Sequence, residues 1–496
     1  MTDAVDCDVL VVGLGPVGAV LAALLAQQGV RVIAIDRDKE VYPLPRAAHF
    51  DHEIMRIFQQ LGIAAEVAAH ARVAPAYEFR NAAGEVLLRF DQAGQDGPSG
   101  WPPSFMFNQP GMEQAVRARL ATFPNAQIRL ERCFESFAEV EGGLLAALSG
   151  PAGWETVHAR FIVGCDGARS AVREACGIAL FDYAFDEPWL VIDAVPLPGA
   201  RVPDVCLQIC DPARPTTCVL MGPGRHRWEF MLKPGETPAQ VLDDAFIRDL
   251  LAAWDCADTV EVVRKVVYRF HGLVAESWRS GRVLIAGDAA HQMPPFAGQG
   301  MCSGLRDAAN LSWKLAAVLA GADDAILDTY QTEREPHVRG LIELAIAMGR
   351  LVCMSDPAAA AVRDAGLLAQ RAAGTSAVPP LAPASFAAGF LLAGSPAAGS
   401  PMPQPRRGER RLDDVLGDGA WLIARGAPPR SRRLDGVPLT AISLGDEGLA
   451  DFADVLSNWL DRQASEAVLV RPDRCVFGCG DPDALLAAFA AQLRGT

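Results

Sequence analysis

Apolar and polar positions form distinct blocks along the first forty residues of the chain. An apolar run, VDCDVLVVG, is followed by the turn GLGPVG, an apolar helix-like stretch and a second apolar run, VRVIAID. Short apolar runs bounded by glycine are typical of buried strands, and longer stretches are typical of helices. Residues 5–36 therefore predict a strand–helix–strand unit whose two strands are parallel.

Two later apolar runs end in the same manner. ARFIVGCDG (159–167) and GRVLIAGDAA (281–290) both finish in small residues and an aspartate, and helix-like sequence follows each of them. Three strand-like segments therefore lead into turns that combine bare backbone with an acidic side chain.

The composition of the remaining sequence changes along the chain and divides it into segments. From 183 to 274, short strand-like runs are broken by proline and glycine, which is typical of an antiparallel sheet. Residues 355–411 are rich in alanine, proline, glycine and serine, as linkers and covering segments are. Because 496 residues are too many for one core, we predict five units. They are 1–182, 183–274, 275–354, 355–411 and 412–496.

Charge excludes several kinds of partner. The chain carries 45 basic and 60 acidic residues, a formal net charge of −15. Nucleic-acid binding needs a basic stripe, and anionic membrane surfaces need a basic cluster, so neither partner is expected. The acidic N-terminus MTDAVDCDVL does not resemble a signal peptide, and no apolar run is long enough to span a membrane. We expect a cytoplasmic protein.

The twelve cysteines are scattered among apolar stretches, as buried thiols are. CLQIC and CVFGC leave three residues between their thiols, whereas a zinc knuckle leaves two. We expect no metal site.

The glycine-rich turn GLGPVG predicts a dinucleotide site. Gly13, Gly15 and Gly18 have the spacing that permits a tight turn, close approach of a pyrophosphate and close helix packing. Asp36 ends the next strand, where an acid can bind a ribose hydroxyl. The motif by itself does not choose between FAD and NAD. Asp166 and Gly167, in GCDGARS, could face a phosphate or ribose, although Asp-Gly is also a common turn dipeptide.

The stretch GDAAHQMPPFAGQGM (287–301) discriminates between the two cofactors. Asp288 could bind a ribitol or ribose hydroxyl, and the Pro294–Pro295 pair fixes a backbone path. AGQGM then begins a helix whose free N–H groups and dipole favour negative charge, such as that of a reduced flavin. The stretch therefore indicates a flavin cradle.

Taken together, these motifs resemble the class A flavoprotein aromatic hydroxylases, which are FAD-dependent monooxygenases. Further stretches resemble the 3-(3-hydroxyphenyl)propionate hydroxylase branch of that family. They are YPLPRAAHFDHEIMRIFQQLG (42–62), CDPARPTTCVLMGPGRHRWEFMLKPGE (210–236), GQGMCSGLRDAANLSWKLA (298–316), LDTYQTERE (327–335) and VLVRPDRCV (468–476).

The resemblance implies an α/β fold. It consists of a Rossmann-type FAD-binding domain, an inserted antiparallel substrate sheet, and a C-terminal thioredoxin-like module that lacks CxxC. Its implied FAD contacts include Arg46 near the phosphates and Gln109 facing the cofactor. The full predicted FAD set is Gly13, Gly15, Gly18, Asp36, Arg46, Gln109, Asp166, Gly167, Gly287, Asp288, Gly298, Gln299, Gly300 and Met301.

The resemblance also implies a reaction in which NADH or NADPH reduces FAD and O₂ forms a C4a-hydroperoxide that hydroxylates a phenol. The carbonyl of Pro295 would lie near the substrate hydroxyl, and His49 could act as a general base, although lining a helix start is the favoured interpretation of that residue. Gln208, Met221 and Arg225 are predicted substrate contacts, with Arg225 or Arg214 able to pair a substrate carboxylate.

The predicted substrate is 3-(3-hydroxyphenyl)propionate or a close analogue. One alternative is a flavin monooxygenase that acts on a larger polycyclic aromatic by hydroxylation, epoxidation or Baeyer–Villiger oxidation. Another is an FAD-binding redox sensor without catalysis. A homodimer is expected from the resemblance alone.

Overall fold

The computed structural model of the protein describes residues 5–91, 94, 96–375, 384–429 and 433–496. Their strands, in chain order, are β1 (Cys7–Val12), β2 (Val32–Asp36), β3 (His49–Asp51), β4 (Ala71–Val73), β5 (Ala76–Arg80), β6 (Val86–Asp91), β7 (Ser104–Phe107), β8 (Ala126–Leu130), β9 (Cys133–Val140), β10 (Gly143–Gly150), β11 (Gly153–Gly164), β12 (Leu180–Pro196), β13 (Cys206–Ile209), β14 (Thr216–Leu220), β15 (His226–Met231), β16 (Val260–Ala275), β17 (Arg279–Ser280), β18 (Val283–Ile285), β19 (His291–Gln292), β20 (Arg406–Arg407), β21 (Arg410–Arg411), β22 (Ala420–Ala424), β23 (Arg433–Leu434), β24 (Val437–Ser443), β25 (Ala467–Val470) and β26 (Val476–Gly480).

The α-helices of the same residues are α1 (Pro16–Gln27), α2 (His52–Gln60), α3 (Ala64–Ala68), α4 (Gln109–Leu120), α5 (Ala171–Ala175), α6 (Pro238–Val241), α7 (Asp244–Ala252), α8 (Gly300–Leu319), α9 (Thr329–Val352), α10 (Pro357–Ala372), α11 (Leu412–Leu416), α12 (Ala453–Arg462) and α13 (Pro482–Leu493).

The three apolar runs of the sequence are adjacent strands of one sheet. Its order is β17-β18-β11-β1-β2-β8, and β1 pairs in parallel with both β2 and β11, which in turn pairs in parallel with β18. Such strands are buried on both faces, which explains their continuous apolar character. Their carboxyl ends meet at one edge, so the three glycine- and aspartate-bearing turns lie together.

Helix α1 packs unusually close to the turn that precedes it. A Cβ atom on Gly18 would lie 1.9 Å from the carbonyl oxygen of Gly13, so no larger residue fits there. Gly13 itself has φ +95°, a conformation that favours glycine. The glycine spacing therefore sets the approach of α1 to β1.

The antiparallel sheet contains more of the chain than predicted. Its order is β19-β16-β12-β15-β14-β13-β5-β6. The predicted 183–274 segment supplies β13–β16 and most of β12, whereas β5 and β6 come from 76–91 and pair through a parallel β5–β13 contact. Long-range pairing of this kind has no local signal in the sequence. One face of the sheet packs on α6 and α7 through Trp228 and Phe230, and the other faces the parallel sheet.

Residues 275–354 return to the first sheet through β18 and continue as the long helices α8 and α9. The segment predicted as a linker, 355–411, contains the sixteen-residue helix α10. Asp356 caps its first turn and Pro357 occupies its first position, a strong helix start that the composition of the segment obscured. Residues 376–383 of that segment lie outside the described residues.

The C-terminal module has a mixed sheet of order β23-β24-β22-β25-β26, flanked by helices, as expected for a thioredoxin-like unit. Buried ion pairs join it to the first domain. Asp413 bonds Arg56 of α2 at 2.7 Å, and Arg471 bonds Glu333 of α9 at 2.7 Å. Within the module, Asp413 also bonds Arg474 at 3.0 Å. These charges are compensated within the interface, so the module is fixed against α2 and α9.

The predicted α/β architecture with an inserted antiparallel sheet is confirmed. All twelve cysteines have free thiols. Within the described ranges, no helix combines the length and the apolar character that a membrane span requires.

Candidate active site

A cavity of about 1120 Å³ lies between the carboxyl edge of the parallel sheet and the inner face of the antiparallel sheet. Pockets for one small ligand usually enclose about 300–1,000 Å³. This cavity therefore has room for more than one small group. Ligands of open α/β sheets bind at this edge of the strands.

Most of the predicted site residues line this one cavity. They are Gly13, Gly15, Asp36, Arg46, His49, Gln109, Asp166, Gly167, Gln208, Asp288, Pro295, Gly298, Gln299, Gly300 and Met301. Gly18 and Gly287 lie behind the lining, where they allow close packing against Gly13 and Val17. Met221 and Arg225 lie outside the cavity, in the turn between β14 and β15.

Hydrogen bonds with two charged side chains, Asp36 and Arg117, fix the glycine-rich turn. Asp36 accepts a hydrogen bond from the Leu14 amide at 2.8 Å, and Arg117 donates to the Leu14 carbonyl at 2.6 Å. A Cβ atom on Gly15 would meet no protein atom within 4 Å, although Gly15 lines the cavity. The turn therefore leaves the bare backbone facing free space, as a bound pyrophosphate requires.

The Asp166–Gly167 motif also has a structural role. Asp166 accepts hydrogen bonds from the Ser170 hydroxyl at 2.6 Å and from the Val172 amide at 3.1 Å, which organises the start of α5. Gly167 follows with φ +84° and lines the cavity.

The loop that carries Arg46 is clamped from two sides. Gln109 accepts hydrogen bonds from the Arg46 and Ala47 amides at 2.8 and 2.6 Å and donates to Glu113 at 2.7 Å. Arg227, from the antiparallel sheet, donates to the Arg46 carbonyl at 2.7 Å. The amide of Gln109 is therefore committed to the loop, and its part in the site is to position Arg46.

Beneath Asp288, the buried carboxylate of Asp307 is paired with His291 and Arg334. His291 donates from Nε2 to Asp307 at 2.6 Å, and Arg334 donates to the other oxygen of Asp307 at 2.9 Å. Burial alone would raise the pKa of Asp307, but His291 and Arg334 outweigh it and hold that pKa below its usual range.

Asp288 itself points into the cavity. Burial raises its pKa, and the nearby His291 and Arg46 oppose that rise in part. A carboxylate that opens into the cavity is suited to accept hydrogen bonds from ligand hydroxyl groups.

The Pro295–Gly298 turn leads into the N-terminus of α8. Its Gly298 has φ +63°, and His49 donates from Nδ1 to the Gly298 carbonyl at 3.1 Å. Burial lowers the pKa of His49, which keeps its imidazole neutral. His49 therefore supports this turn, and its role as a general base stays a prediction. The Pro295 carbonyl accepts a hydrogen bond from the Gly298 amide at 2.8 Å, and Pro295 is one of the residues that line the cavity.

The antiparallel sheet supplies a row of polar side chains to the opposite wall. Thr217 donates to Gln208 at 2.7 Å, and Gln208 donates to the Tyr77 hydroxyl at 2.6 Å. Burial raises the pKa of Tyr77, so its phenol stays protonated and its O–H remains available to donate. Glu229 is the next residue of this row on β15.

Sequence reasoning missed several functional or supporting groups, among them Asp307, Arg334, Arg227 and Glu229. Alternation in HRWEFM was the available signal for the last two, because Trp228 and Phe230 face one side and Arg227 and Glu229 the other. Nothing local indicates which partners the polar side meets.

The cavity residues fit FAD. Gly15 would admit the pyrophosphate, and Asp36 and Asp288 could accept hydrogen bonds from ribose and ribitol hydroxyls. Gly300 and Met301, the first residues of the twenty-residue helix α8, also line the cavity. When bound, FAD would accept hydride from a nicotinamide and activate O₂.

Comparison with known proteins agrees with this geometry. A family model described as "FAD binding domain" matches residues 6–345, and one described as "HcaD C-terminal domain" matches residues 399–495.

Curated relatives extend over nearly the whole chain. A probable NADH-specific resorcinol 4-hydroxylase of Rhodococcus jostii (strain RHA1) is 38% identical, over 98% of this chain and 94% of its own length. A 3-(3-hydroxy-phenyl)propionate/3-hydroxycinnamic acid hydroxylase of Mycobacterium sp. (strain JLS) is 35% identical, over 96% of this chain and 89% of its own. The crystal structure of aklavinone-11 hydroxylase with FAD and aklavinone superposes over 100% of both chains, with a TM-score of 0.80 and 26% identity.

Proposed function

The chain belongs to the FAD-dependent aromatic hydroxylases, and we propose that it uses NADH and O₂ to hydroxylate a single-ring phenol, either 3-(3-hydroxyphenyl)propionate or a close analogue such as resorcinol. The two named phenols are those of the relatives from Mycobacterium and Rhodococcus. A reaction that consumes NADH agrees with the cytoplasmic location predicted from the sequence, which stays a prediction. The homodimer stays a prediction.

The reaction converts an aromatic C–H into C–OH. One atom of O₂ enters the ring as the new hydroxyl oxygen, and the other leaves as water. NADH is oxidised to NAD⁺, and its two electrons, with its hydrogen and one proton, balance the formation of that water. The protein must hold the ring near the cofactor and keep water away, because water diverts the activated oxygen to H₂O₂.

The observation that carries the proposal is the hydrogen-bonded polar row on the inner face of the antiparallel sheet, in a cavity that many apolar side chains also line. Tyr77, Gln208 and Thr217 form a hydrogen-bonded chain on the inner face of the antiparallel sheet. Apolar and aromatic side chains line the same cavity, namely Val191, Val219, Phe270, Met293, Phe296, Leu341, Leu344 and Met348. Such a wall orients one phenol hydroxyl and excludes water around the ring.

The polar chain can orient the phenol in one direction. Gln208 uses its NH₂ group toward Tyr77 and its oxygen toward Thr217, so the Tyr77 O–H is left to donate. We propose that Tyr77 donates to the substrate hydroxyl, and that His49 acts by holding the Pro295–Gly298 turn beneath the ring.

The test is NADH oxidation by the FAD-loaded protein with and without each phenol, with H₂O₂ measured alongside. We expect one phenol to accelerate NADH oxidation at least about tenfold with little H₂O₂, since productive binding must precede oxygen transfer.

Tyr77→Phe removes the proposed donor and is expected to raise the share of H₂O₂. Phe79→Leu, on the same strand, is the matched control for altered packing. Failure of both phenols to accelerate NADH oxidation would contradict the proposed substrates and direct the search to larger polycyclic aromatics.

A further inference from the structure

Arg306 of α8 lines the cavity and is a charged side chain to which the proposed reaction gives no part. Its Nη2 donates to Asp51 at 2.6 Å, and its Nε donates to Glu53 at 2.5 Å. Its Nη1 donates to the side-chain oxygen of Gln299 at 3.1 Å. Three acceptors on two segments therefore hold the guanidinium in one orientation, as its planar fork of donors allows.

The contact with Arg306 decides which end of the Gln299 amide is available to a ligand. A guanidinium only donates hydrogen bonds, so the Gln299 oxygen faces Arg306. The NH₂ group of this amide donates to no other described residue. Gln299 is buried, lines the cavity and immediately precedes Gly300, the first residue of α8. Its NH₂ group is therefore left to donate beside the free N–H groups of the helix terminus.

The segment that leads into α2 supports the start of α8 at two points. His49 bonds the Gly298 carbonyl at 3.1 Å, and Asp51 bonds Arg306, which in turn bonds Gln299. The other oxygen of Asp51 accepts the Glu53 amide at 3.1 Å and caps α2. Arg306 therefore ties the start of α2 to the start of α8.

The groups around Arg306 are ionised. Burial alone would raise the pKa of Asp51, but Arg306, His52 and His49 outweigh it and hold that pKa below its usual range. Burial alone would lower the pKa of Arg306, but Asp51 and Glu53 outweigh it and raise that pKa. A permanent positive charge therefore lies beside the α8 terminus, with two carboxyl groups behind it.

The other arginines are placed differently. Arg117 is bonded to the Leu14 carbonyl, and Arg227 to Asp193 and the Arg46 carbonyl. The remaining cavity-lining arginines follow the dinucleotide strands or precede β9, and they are Arg37, Arg46, Arg132 and Arg169. Arg214, predicted to pair with a substrate carboxylate, is bonded to Glu236 at 2.7 Å and does not line the cavity. Within the described part of the chain, Arg306 is the cavity-lining arginine that is bonded to Gln299.

We propose that Arg306 is a positioning residue for the flavin, which orients the Gln299 amide toward the bound cofactor and favours the reduced flavin over the oxidised one. Two-electron reduction with uptake of one proton leaves a negative charge on the flavin. The Arg306 charge attracts that negative charge, and the positive end of the α8 dipole acts in the same direction. This role depends on the FAD cofactor and not on the identity of the phenol.

The experiment measures two properties of the protein without phenol or NADH. The reduction potential of the bound flavin is obtained by stepwise reduction with dithionite against a reference dye. The dissociation constant of FAD is obtained from flavin fluorescence as FAD is added to the FAD-free protein.

Three variants separate charge from positioning. Arg306→Met removes the charge, Arg306→Lys keeps the charge without the fork of donors, and Glu53→Gln removes one neighbouring negative charge while keeping an acceptor. Arg339→Gln is the control, because Arg339 pairs with Glu335 on α9 and does not line the cavity.

Arg306→Met is expected to weaken the binding of reduced flavin at least about tenfold more than that of oxidised FAD, which lowers the two-electron midpoint potential by at least about 30 mV. Glu53→Gln should raise the potential, because it makes the surroundings of the flavin more positive. Arg306→Lys should weaken the binding of both flavin states and keep most of the potential. Arg339→Gln should change neither property.

An unchanged potential in Arg306→Met would overturn the proposal even if FAD affinity falls, because a purely structural contact affects both flavin states alike. If Arg306→Met fails to fold, Glu53→Gln decides, and a potential equal to or below that of the wild type would overturn the proposal. The expected potentials without turnover of either phenol would contradict the proposed reaction and leave the role of Arg306 standing.

Discussion

The two walls of the cavity differ in how closely a buried carboxyl group is paired with basic side chains. On the floor beneath Asp288, Asp307 is bonded by His291 at 2.6 Å and by Arg334 at 2.9 Å. On the antiparallel sheet, Glu229 has Arg227 at 3.7 Å. The pKa of Asp307 is held low, whereas burial raises that of Glu229 and Arg227 opposes the rise only in part. A matched carboxylate supports the fold, and an unmatched one that faces a cavity is available to a ligand.

The largest effect on the free energy of unfolding is expected on removing Asp307, the carboxylate that is closely paired. Asp307→Ala leaves the buried Arg334 without its partner, which typically costs about 3–5 kcal/mol in the free energy of unfolding. Chemical denaturation of the FAD-free protein measures it. Glu335→Ala, which removes the neighbouring pair with Arg339, should cost less than about 1 kcal/mol. Similar costs for the two variants would contradict a structural role for Asp307.

This stabilisation also has a pH dependence. Because the folded-state pKa of Asp307 is lowered, its contribution is complete above the ordinary carboxyl pKa of about 4 and is lost as the pH falls through the folded value. The difference between wild type and Asp307→Ala should therefore shrink in acid.

A smaller effect, on FAD affinity, is expected on removing Asp288, whose carboxylate faces the cofactor side of the cavity. Asp288→Ala should lower FAD affinity at least about tenfold without a loss of stability, since its carboxylate is directed to the ligand. Flavin retained after gel filtration and thermal unfolding of the FAD-free protein provide the two measurements. Asp166→Ala, which also releases Ser170 and Val172, should lose both affinity and stability. A variant at Asp288 that keeps its full flavin content would refute the assignment.

The smallest effect is expected at Glu229. Its folded-state pKa is raised, so ionisation opposes folding as the pH rises above the unfolded value. Glu229→Gln removes that opposition, and we expect it to be more stable than the wild type by up to about 1 kcal/mol at pH 8, with no difference at pH 4. Urea unfolding at the two pH values measures this. A loss of stability at pH 8 would place Glu229 with the matched, structural carboxylates.

Local sequence was sufficient for the cofactor side of the cavity. Gly13, Gly15, Asp36, Asp166 and Asp288 were predicted from strand-end turns, and all of them line it. These residues act through backbone conformation and short-range contacts, which a stretch of about thirty residues specifies. Sequence alone did not reveal that Asp166 also organises α5 or that Gln109 clamps the Arg46 loop, because each contact depends on how neighbouring segments pack.

The substrate side depended on register between distant strands. Gln208 was predicted and does line the cavity, whereas Met221 and Arg225 do not. All three come from one stretch of similar composition, and only the pairing of β13, β14 and β15 decides which side chains face inward. The parallel contact between β5 and β13 brings Tyr77 to Gln208 from 131 residues away.

The sequence by itself determined the α/β fold class, the position of the dinucleotide turns and the family resemblance, because glycine spacing and apolar periodicity are local properties of the chain. Only the tertiary structure decided which charges are matched. Arg227, Asp193, Arg264 and Glu229 meet across three strands, and the balance among them depends on distances that no stretch of sequence contains. Electrostatic energy in a buried site varies with separation and burial, so the weak pairing of Glu229 became visible only once the sheet was folded.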